Sequence, residues 1–215
     1  MEKIAIYGAG GFGREVLSLL QNMNETEGRY IIIGFYDDFF SKGTVVNGFE
    51  VKGGIAELNG LDEPLSVVIA IGGSKKRKMV VDELTNSNLK FPTIIHPSVL
   101  FGSKDTVQIG KGCIICAGVI ITTNVVIDDF VLLNLSCTVG HDTKIGAYSS
   151  FMPSVNISGA VITEAGVYVG TGAKIIHSLS IGENTIVGAG AVVAKSLPPN
   201  CTAVGVPARV IKENS

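Results

Sequence analysis

His141 and Asp142 are the adjacent residues whose side chains best suit proton transfer. Imidazole removes a proton near neutral pH, and a neighbouring carboxylate fixes the ring tautomer and raises its basicity. Asn134 lies in the preceding turn of the same sequence pattern, and neither His96 nor His177 is followed by a carboxylate. The residues alone leave two interpretations of His141 open, a general base or a solvated turn histidine. We expect His96 and His177 to be structural.

A second candidate site is the glycine loop at residues 8–13, Gly-Ala-Gly-Gly-Phe-Gly. Its spacing between a strand and a helix is typical of phosphate binding, because glycines allow a tight turn and the helix start offers N–H groups. Asp37 follows the second strand, where it could accept a hydrogen bond from a ribose hydroxyl. The alternatives are a turn that serves only packing and an NAD site. About ninety residues provide only half of a dinucleotide fold, so a nucleotide ligand other than a redox cofactor fits best.

The elements that would position this loop alternate between strand and helix. Apolar strands are predicted at residues 3–7, 30–35 and 64–71, with helices that end near Leu20 and Leu84. Such alternation predicts a small parallel α/β sheet, whose ligands bind at the carboxyl ends of the strands. The basic run at residues 75–78 is interpreted as a solvated helix start.

The element that would position His141 is a six-residue repeat, which extends from Ile109 to Val193 without interruption. The first position of every repeat is Ile, Leu or Val except at Phe151 and Thr163. This period predicts a parallel β-helix with an aliphatic interior. If three repeats make one coil, His141 and His177 lie at one corner, two coils or about 10 Å apart.

Composition excludes several classes of protein. The formal net charge is −2, and it argues against a nucleic-acid binder. No apolar stretch reaches the length of a membrane span, and no leader precedes the first strand, so we expect a cytoplasmic protein without a membrane span. The cysteines are too few for a disulfide scaffold, and no second ligand pair complements Cys113 and Cys116. We therefore expect them to pack, and we expect no metal site.

Six motifs in order give the chain a resemblance to the hexapeptide-repeat sugar acyltransferases of bacteria. This family includes sialic-acid O-acetyltransferases and the N-acetyltransferases of bacillosamine and perosamine synthesis. The motifs are the glycine loop, Tyr-Asp-Asp at 36–38, Ile-Ala-Ile-Gly at 69–72, Ile-His-Pro-Ser at 95–98, Asn134 with His141-Asp142, and the closing segments at 187–191 and 204–208.

The resemblance implies a Rossmann-like α/β half domain over residues 1–93, which binds a nucleotide sugar. It also implies a left-handed parallel β-helix with a C-terminal cap over residues 94–215. Family members of the N-acetyltransferase type are trimers that bind acetyl-CoA between subunits. Carried onto this sequence, the family assigns substrate contacts to Gly10, Gly11, Phe12, Asp37, Asp38 and Gly72. It assigns catalysis to His141, Asp142 and Asn134, and acetyl-CoA contacts to Gly159, Thr171 and Ala189.

Two positions depart from the family pattern. Phe12 stands where the family usually has histidine, and Ser150 stands where a second family histidine approaches the thioester. The resemblance implies an acetyl-CoA-dependent N-acetyltransferase that acts on a UDP-, dTDP- or GDP-linked 4-amino-deoxy sugar for surface glycan biosynthesis. The alternatives are a sugar O-acetyltransferase of the sialic-acid type and a non-catalytic nucleotide-binding trimeric scaffold. A nicotinamide oxidoreductase is a third alternative, and it requires NAD(H) binding.

Overall fold

The computed structural model describes residues 1–214, and the chain divides into two compact units, Met1–Pro97 and a second that begins at Ser98. An α/β unit is followed by a left-handed parallel β-helix, so the predicted fold class is confirmed. The predicted domain boundary between residues 93 and 94 stays a prediction. None of the helices within residues 1–214 is long and apolar enough to cross a membrane.

The first unit contains three helices and seven strands. They are β1 (Glu2–Tyr7), α1 (Gly11–Glu27), β2 (Tyr30–Tyr36), β3 (Val45–Val46), β4 (Phe49–Glu50), α2 (Ile55–Asn59), β5 (Leu65–Ile69), α3 (Ser74–Glu83), β6 (Leu89–Lys90) and β7 (Ile94–Ile95). Four parallel strands form a sheet in the order β2-β1-β5-β6. Strand β1 is central and lies between β2 and β5, so the loops that follow these three strands emerge side by side at one edge.

The sequence-based expectation for α1 is too short. The helix continues beyond Leu20 to Glu27, because Met23 still packs in the core and Gly28 ends the helix in a left-handed conformation, with φ of 58°. The β3–β4 hairpin and α2 were not predicted. These elements are only two to five residues long, too short for hydrophobic periodicity to identify.

The second unit begins with β8 (Leu100–Phe101) and a short 3-10 helix (Lys104–Thr106). The strands that follow are β9 (Val107–Ile109), β10 (Ile114–Ile115), β11 (Ile120–Ile121), β12 (Val125–Ile127), β13 (Leu132–Leu133), β14 (Thr138–Val139), β15 (Lys144–Ile145), β16 (Ser150–Phe151), β17 (Asn156–Ile157), β18 (Ile162–Thr163), β19 (Tyr168–Val169), β20 (Lys174–Ile175), β21 (Ser180–Ile181), β22 (Ile186–Val187) and β23 (Val192–Val193). Every third strand pairs in parallel, as β11 does with β14, so one coil takes three of the sequence repeats. The first positions of the repeats from Ile115 onward are buried, so they form the aliphatic interior.

Corners separate the short strands, and one residue in each adopts a left-handed conformation. Asn124, Asp142 and Asn184 have φ between 54° and 58°, and glycines such as Gly112 and Gly172 occupy equivalent positions at other corners. Asparagine, aspartate and glycine tolerate this conformation best. The corners therefore repeat with the same backbone geometry, and they differ mainly in their side chains.

The last two strands end the β-helix. Strand β24 (Cys201–Val204) pairs in parallel with β22, and β25 (Arg209–Glu213) turns back to pair with β24 in the antiparallel direction. A turn with a cis peptide bond between Val206 and Pro207 joins these two strands.

Candidate functional site

His141 and Asp142 occupy the corner between β14 and β15, where they form a side-chain pair. Nδ1 of His141 lies 2.8 Å from Oδ2 of Asp142. The two side chains are 63% and 55% exposed, so the imidazole is accessible to a ligand. When Nδ1 is protonated and donates a hydrogen bond to the carboxylate, Nε2 is unprotonated and carries the lone pair. This geometry would suit a general base whose carboxylate fixes the tautomer.

Gly159 lies one coil further along, directly against the ring of His141. A Cβ atom added at Gly159 would lie only 2.4 Å from Nε2 and 2.6 Å from Cε1 of His141. Gly159 is buried although it lies at an outer corner, because the imidazole covers it. Its lack of a side chain therefore provides the surface on which the ring rests.

Asp142 has a second hydrogen-bond partner, Asn124, which the sequence reasoning missed. Nδ2 of Asn124 donates to Oδ1 of Asp142 at 3.1 Å. The hydrogen bonds from His141 and Asn124 lower the pKa of the Asp142 carboxyl below its ordinary value. The separation of the two residues by one complete coil was the sequence signal that could have identified Asn124.

The other residues predicted for catalysis and acetyl-CoA binding lie at a different corner. Asn134 follows β13, is buried, and accepts a hydrogen bond from the backbone N–H of Leu135 at 2.7 Å. Thr171 and Ala189 lie one coil apart at this same corner, and both are exposed. Within one chain, the structure thus brings His141, Asp142 and Gly159 together, and it places Asn134, Thr171 and Ala189 at another corner of the coil.

At the corner with Thr171 and Ala189, a glycine follows each of these two residues. Gly172 and Gly190 have open space where a Cβ atom would lie. An extended chain with amide groups, such as the pantetheine arm of CoA, could approach such a surface closely, so these residues fit the proposed co-substrate.

Ser150, in β16, is completely buried, whereas Thr171 and Ala189 are exposed. A direct contact between the Ser150 hydroxyl and a thioester would therefore require the surrounding chain to move. Phe12 is half-buried in the first turn of α1, beside the exposed Gly10 and Gly11.

At the sheet edge of the first unit, the two predicted carboxylates both contact backbone groups. Asp37 accepts hydrogen bonds from the N–H groups of Ala9 and Phe39, each at 2.8 Å. Asp38 accepts from the N–H of Ile55 at 3.0 Å and from the hydroxyl of Tyr7. The pKa of Tyr7 is raised, chiefly by burial and then by its hydrogen bond to Asp38. Both carboxylates therefore hold the loops at this edge in place, and this structural role does not depend on a ligand.

Arg77 supports the loop that contains Gly72. Its guanidinium is buried and donates to the carbonyl of Ile71 at 2.6 Å and to that of Gly72 at 3.4 Å. Lys75, Lys76 and Lys78 are exposed, so the interpretation of residues 75–78 as a solvated helix start is wrong only for Arg77. Arg77 differs from the three lysines because every third residue of α3 from Ser74 to Val80 is buried, and Arg77 and Val80 are on the buried face of the helix.

Phe39 is a further exposed side chain at this edge that sequence reasoning missed. It is 83% exposed, and Nζ of Lys76 lies 4.5 Å from the centre of its ring. Phe39 lies in the loop after β2, and Lys76 lies in the first turn of α3, which follows β5. The contact therefore joins the segments that follow the two strands on either side of β1. An exposed aromatic ring and an ammonium group beside a glycine loop can contact a base and a phosphate.

The cysteines are buried thiols, in agreement with the expected packing role. Burial raises the pKa of Cys137 to about 11, so its thiolate is scarce at neutral pH. Among residues 1–214, no three His, Cys, Asp or Glu side chains are grouped so that they could hold a metal ion.

Comparisons with known proteins agree with this arrangement. Residues 3–84 match the family described as the PglD N-terminal domain. The chain is 36% identical over its whole length to the GDP-perosamine N-acetyltransferase of Escherichia coli O157:H7, and the match covers 98% of that relative.

Two solved structures resemble the chain along nearly its whole length. One is a variant of the perosamine N-acetyltransferase from Caulobacter crescentus in complex with CoA and GDP-perosamine, with a TM-score of 0.88, 29% identity, and coverage of 99% of this chain and 98% of that one. The other is the acetyltransferase domain of PglB from Neisseria gonorrhoeae in complex with acetyl coenzyme A. Its TM-score is 0.86, its identity is 30%, and the coverage is 98% of this chain and 99% of that one.

Proposed function

The chain belongs to the family of bacterial sugar N-acetyltransferases that includes the GDP-perosamine N-acetyltransferase of E. coli O157:H7, and we propose that it acetylates a nucleotide-linked 4-amino-deoxy sugar from acetyl-CoA. The structural observation that carries this proposal is the exposed His141–Asp142 pair resting on Gly159. In a chain of this family, such a pair supplies the base that amide formation requires.

In the proposed reaction, the amine of the sugar attacks the thioester carbonyl of acetyl-CoA directly. The new C–N bond forms a tetrahedral intermediate, and Nε2 of His141 removes a proton from the amine nitrogen. The C–S bond then breaks, and CoA leaves as a thiolate that is protonated to the thiol. Backbone N–H groups near Gly159 would stabilise the oxyanion. The buried cysteines are not required as nucleophiles.

We further propose that the enzyme is a homotrimer whose sites lie between subunits. His141 and the corner with Asn134, Thr171 and Ala189 lie apart within one chain, and a neighbouring subunit could bring the two corners together. In support, Leu100 and Ile120 are neighbours on the outer face of β8 and β11, and they are 63% and 40% exposed. Adjoining apolar side chains that face outward can form part of a subunit interface.

The nucleotide end of the acceptor would bind at the carboxyl edge of the α/β sheet. Gly10, Gly11 and Phe12 provide the start of α1 for a phosphate, while Gly72 provides an adjacent backbone surface. In this proposal, Asp37 and Asp38 add ligand contacts to their hydrogen bonds with the protein. Acetyl-CoA and nucleotide sugars are cytoplasmic metabolites, so we place the enzyme in the cytoplasm.

The decisive experiment measures CoA thiol release from acetyl-CoA with a panel of GDP-, UDP- and dTDP-linked 4-amino sugars, together with the mass of the product. We expect N-acetylation of one acceptor, with a loss of activity in His141→Ala. Thiol release with a hydroxyl acceptor alone would indicate an O-acetyltransferase instead. Binding of a nucleotide without thiol release would indicate a scaffold.

The trimer can be tested by sedimentation equilibrium and by mixing two inactive variants. A trimer has three times the chain mass of 22.5 kDa. If the sites lie between subunits, mixed oligomers of His141→Ala and Asn134→Ala regain activity after subunit exchange. A fully active monomer would contradict this part of the proposal.

A further inference from the structure

We propose that Asn124 is a positioning residue for acetyl transfer, because it holds the carboxylate that orients the catalytic base. This inference rests on the proposed function, and it adds a third member to the His141–Asp142 pair. Asn124 lies one coil before Asp142 and donates from Nδ2 to Oδ1, while Oδ2 contacts Nδ1 of His141. The two oxygens of one carboxylate thus join the amide on one coil to the imidazole at the same corner of the next coil.

Asn124 is itself held in place from the preceding coil. Its backbone N–H donates to Oγ1 of Thr106 at 3.0 Å, and that hydroxyl also lies 2.9 Å from Oγ1 of Thr123. The backbone N–H of Asp142 donates to the carbonyl of Thr123 at 3.1 Å. Backbone hydrogen bonds therefore hold both Asn124 and Asp142 in place. Only their side chains lose freedom when Nδ2 of Asn124 contacts the carboxylate.

The need for a third residue follows from exposure. Pairs of exposed charged side chains gain little from each other, because solvent screens them and holding them in one geometry costs entropy. Asp142 is more than half exposed, so a single contact with His141 would leave its carboxylate able to rotate. A second hydrogen bond on the other oxygen restricts that rotation and keeps Oδ2 directed at Nδ1.

The later corners of the same column, all within the described part of the chain, carry no further acidic side chain at this position. Counting along the coils from Asn124 and Asp142, the equivalent positions are Ala160, Ser178 and Ser196. The amide and the carboxylate therefore coincide at the corner that carries His141. This coincidence supports a role in catalysis beyond the general tolerance of asparagine for a left-handed corner.

The test compares Asn124→Asp and Asn124→Ala with the matched variants Asn184→Asp and Asn184→Ala. Asn184 has φ of 56°, against 54° for Asn124, and its Nδ2 donates to Oδ1 of Asn200 at 3.2 Å, far from His141 in sequence. Each pair of variants thus removes a side-chain amide donor from the same kind of corner, and only the Asn124 variants remove one that contacts a carboxylate. Aspartate preserves the shape and the left-handed tolerance of asparagine, but it removes the donor and repels Asp142.

We expect Asn124→Ala to lower kcat about two- to tenfold, the effect of one net hydrogen bond, with the KM of each substrate unchanged. Asn124→Asp should lower kcat further at pH 8, because two carboxylates then face each other. In both variants, NMR titration of the Asp142 carboxyl carbon should show a higher midpoint than in the wild-type enzyme. The Asn184 variants should change neither kcat nor this titration.

An unchanged kcat in Asn124→Asp, or an equal loss in Asn184→Asp, would overturn the inference. The carboxyl titration separates this outcome from a failure of the proposed function. If the wild-type protein transfers no acetyl group to any acceptor, the proposed function fails. The titration of Asp142 would then still decide whether Asn124 holds that carboxylate.

Discussion

Replacement of Gly159 by alanine tests the surface on which the imidazole of His141 rests. The added Cβ would lie 2.4 Å from Nε2, whereas ordinary van der Waals contacts begin near 3.4 Å. The ring must therefore move by about 1 Å, and a displacement of this size at a catalytic group costs on the order of 10²-fold in rate. The backbone of Gly159 does not have the positive φ that favours glycine, so alanine itself fits the main chain.

We expect Gly159→Ala to lower kcat about 100-fold, as measured by thiol release, with a small change in thermal stability. The stability cost is small because the clashing atoms belong to an exposed ring that can turn aside. A useful control is Gly182→Ala, whose added Cβ would clash with the backbone of Pro199 at 2.3 Å. That variant should lose stability and keep its kcat at temperatures where it remains folded.

The result also separates two roles for Gly159. If the glycine mainly contacts acetyl-CoA, the alanine variant should raise the KM for acetyl-CoA and leave kcat intact. If it supports the imidazole, kcat should fall while both KM values hold. Wild-type kcat in Gly159→Ala would refute the argument that the position of this ring governs the reaction.

Three further results are expected. His141→Ala should lower kcat by roughly 10²–10⁴-fold in the thiol-release assay, the usual contribution of a general base, and near wild-type turnover would remove His141 from that role. The pKa of Asp142 is lowered from 3.8 in the folded state, so its contribution to stability is present above that value and is lost as pH falls through the lower, folded value. The urea midpoints of wild type and Asp142→Asn should therefore differ at pH 7 and converge in strong acid, and a constant difference would contradict this. Tyr7→Phe removes the hydrogen bond to Asp38 and should lower the free energy of unfolding by about 1 kcal/mol in urea titrations, and an unchanged value would show that the bond contributes nothing net.

The β-helix could be predicted from the sequence because its period is strict. The repeated aliphatic positions fix the boundaries of every repeat, and three repeats to a coil place His177 at the corner of His141. The contact between Gly159 and the imidazole could not be predicted in the same way. It depends on the rotamer of one histidine, and the repeat specifies only the backbone beneath it.

The candidate site was predicted less completely than the fold. Adjacency in the sequence identified Asp142 as the partner of His141. Asn124 lies a whole coil away from Asp142 in the sequence, and it carries no charge that would mark it as a partner for the carboxylate. In the first unit, the order of strands and glycines indicated where Asp37 would lie. The sequence could not show that both of its oxygens accept backbone N–H groups, since Ala9 and Phe39 donate only after the loops have folded.

The construction of each coil from three repeats sets a rule for how this protein can change in length. An insertion or deletion of one complete coil leaves every later residue at the same corner of the β-helix. A change of a single repeat instead moves every later residue to a neighbouring one of the three corners. A single repeat inserted between Asp142 and Gly159 would leave the aliphatic interior continuous but carry the glycine away from the imidazole. Viable length variants should therefore differ by whole coils in this segment, even though the interior would accept any whole number of repeats.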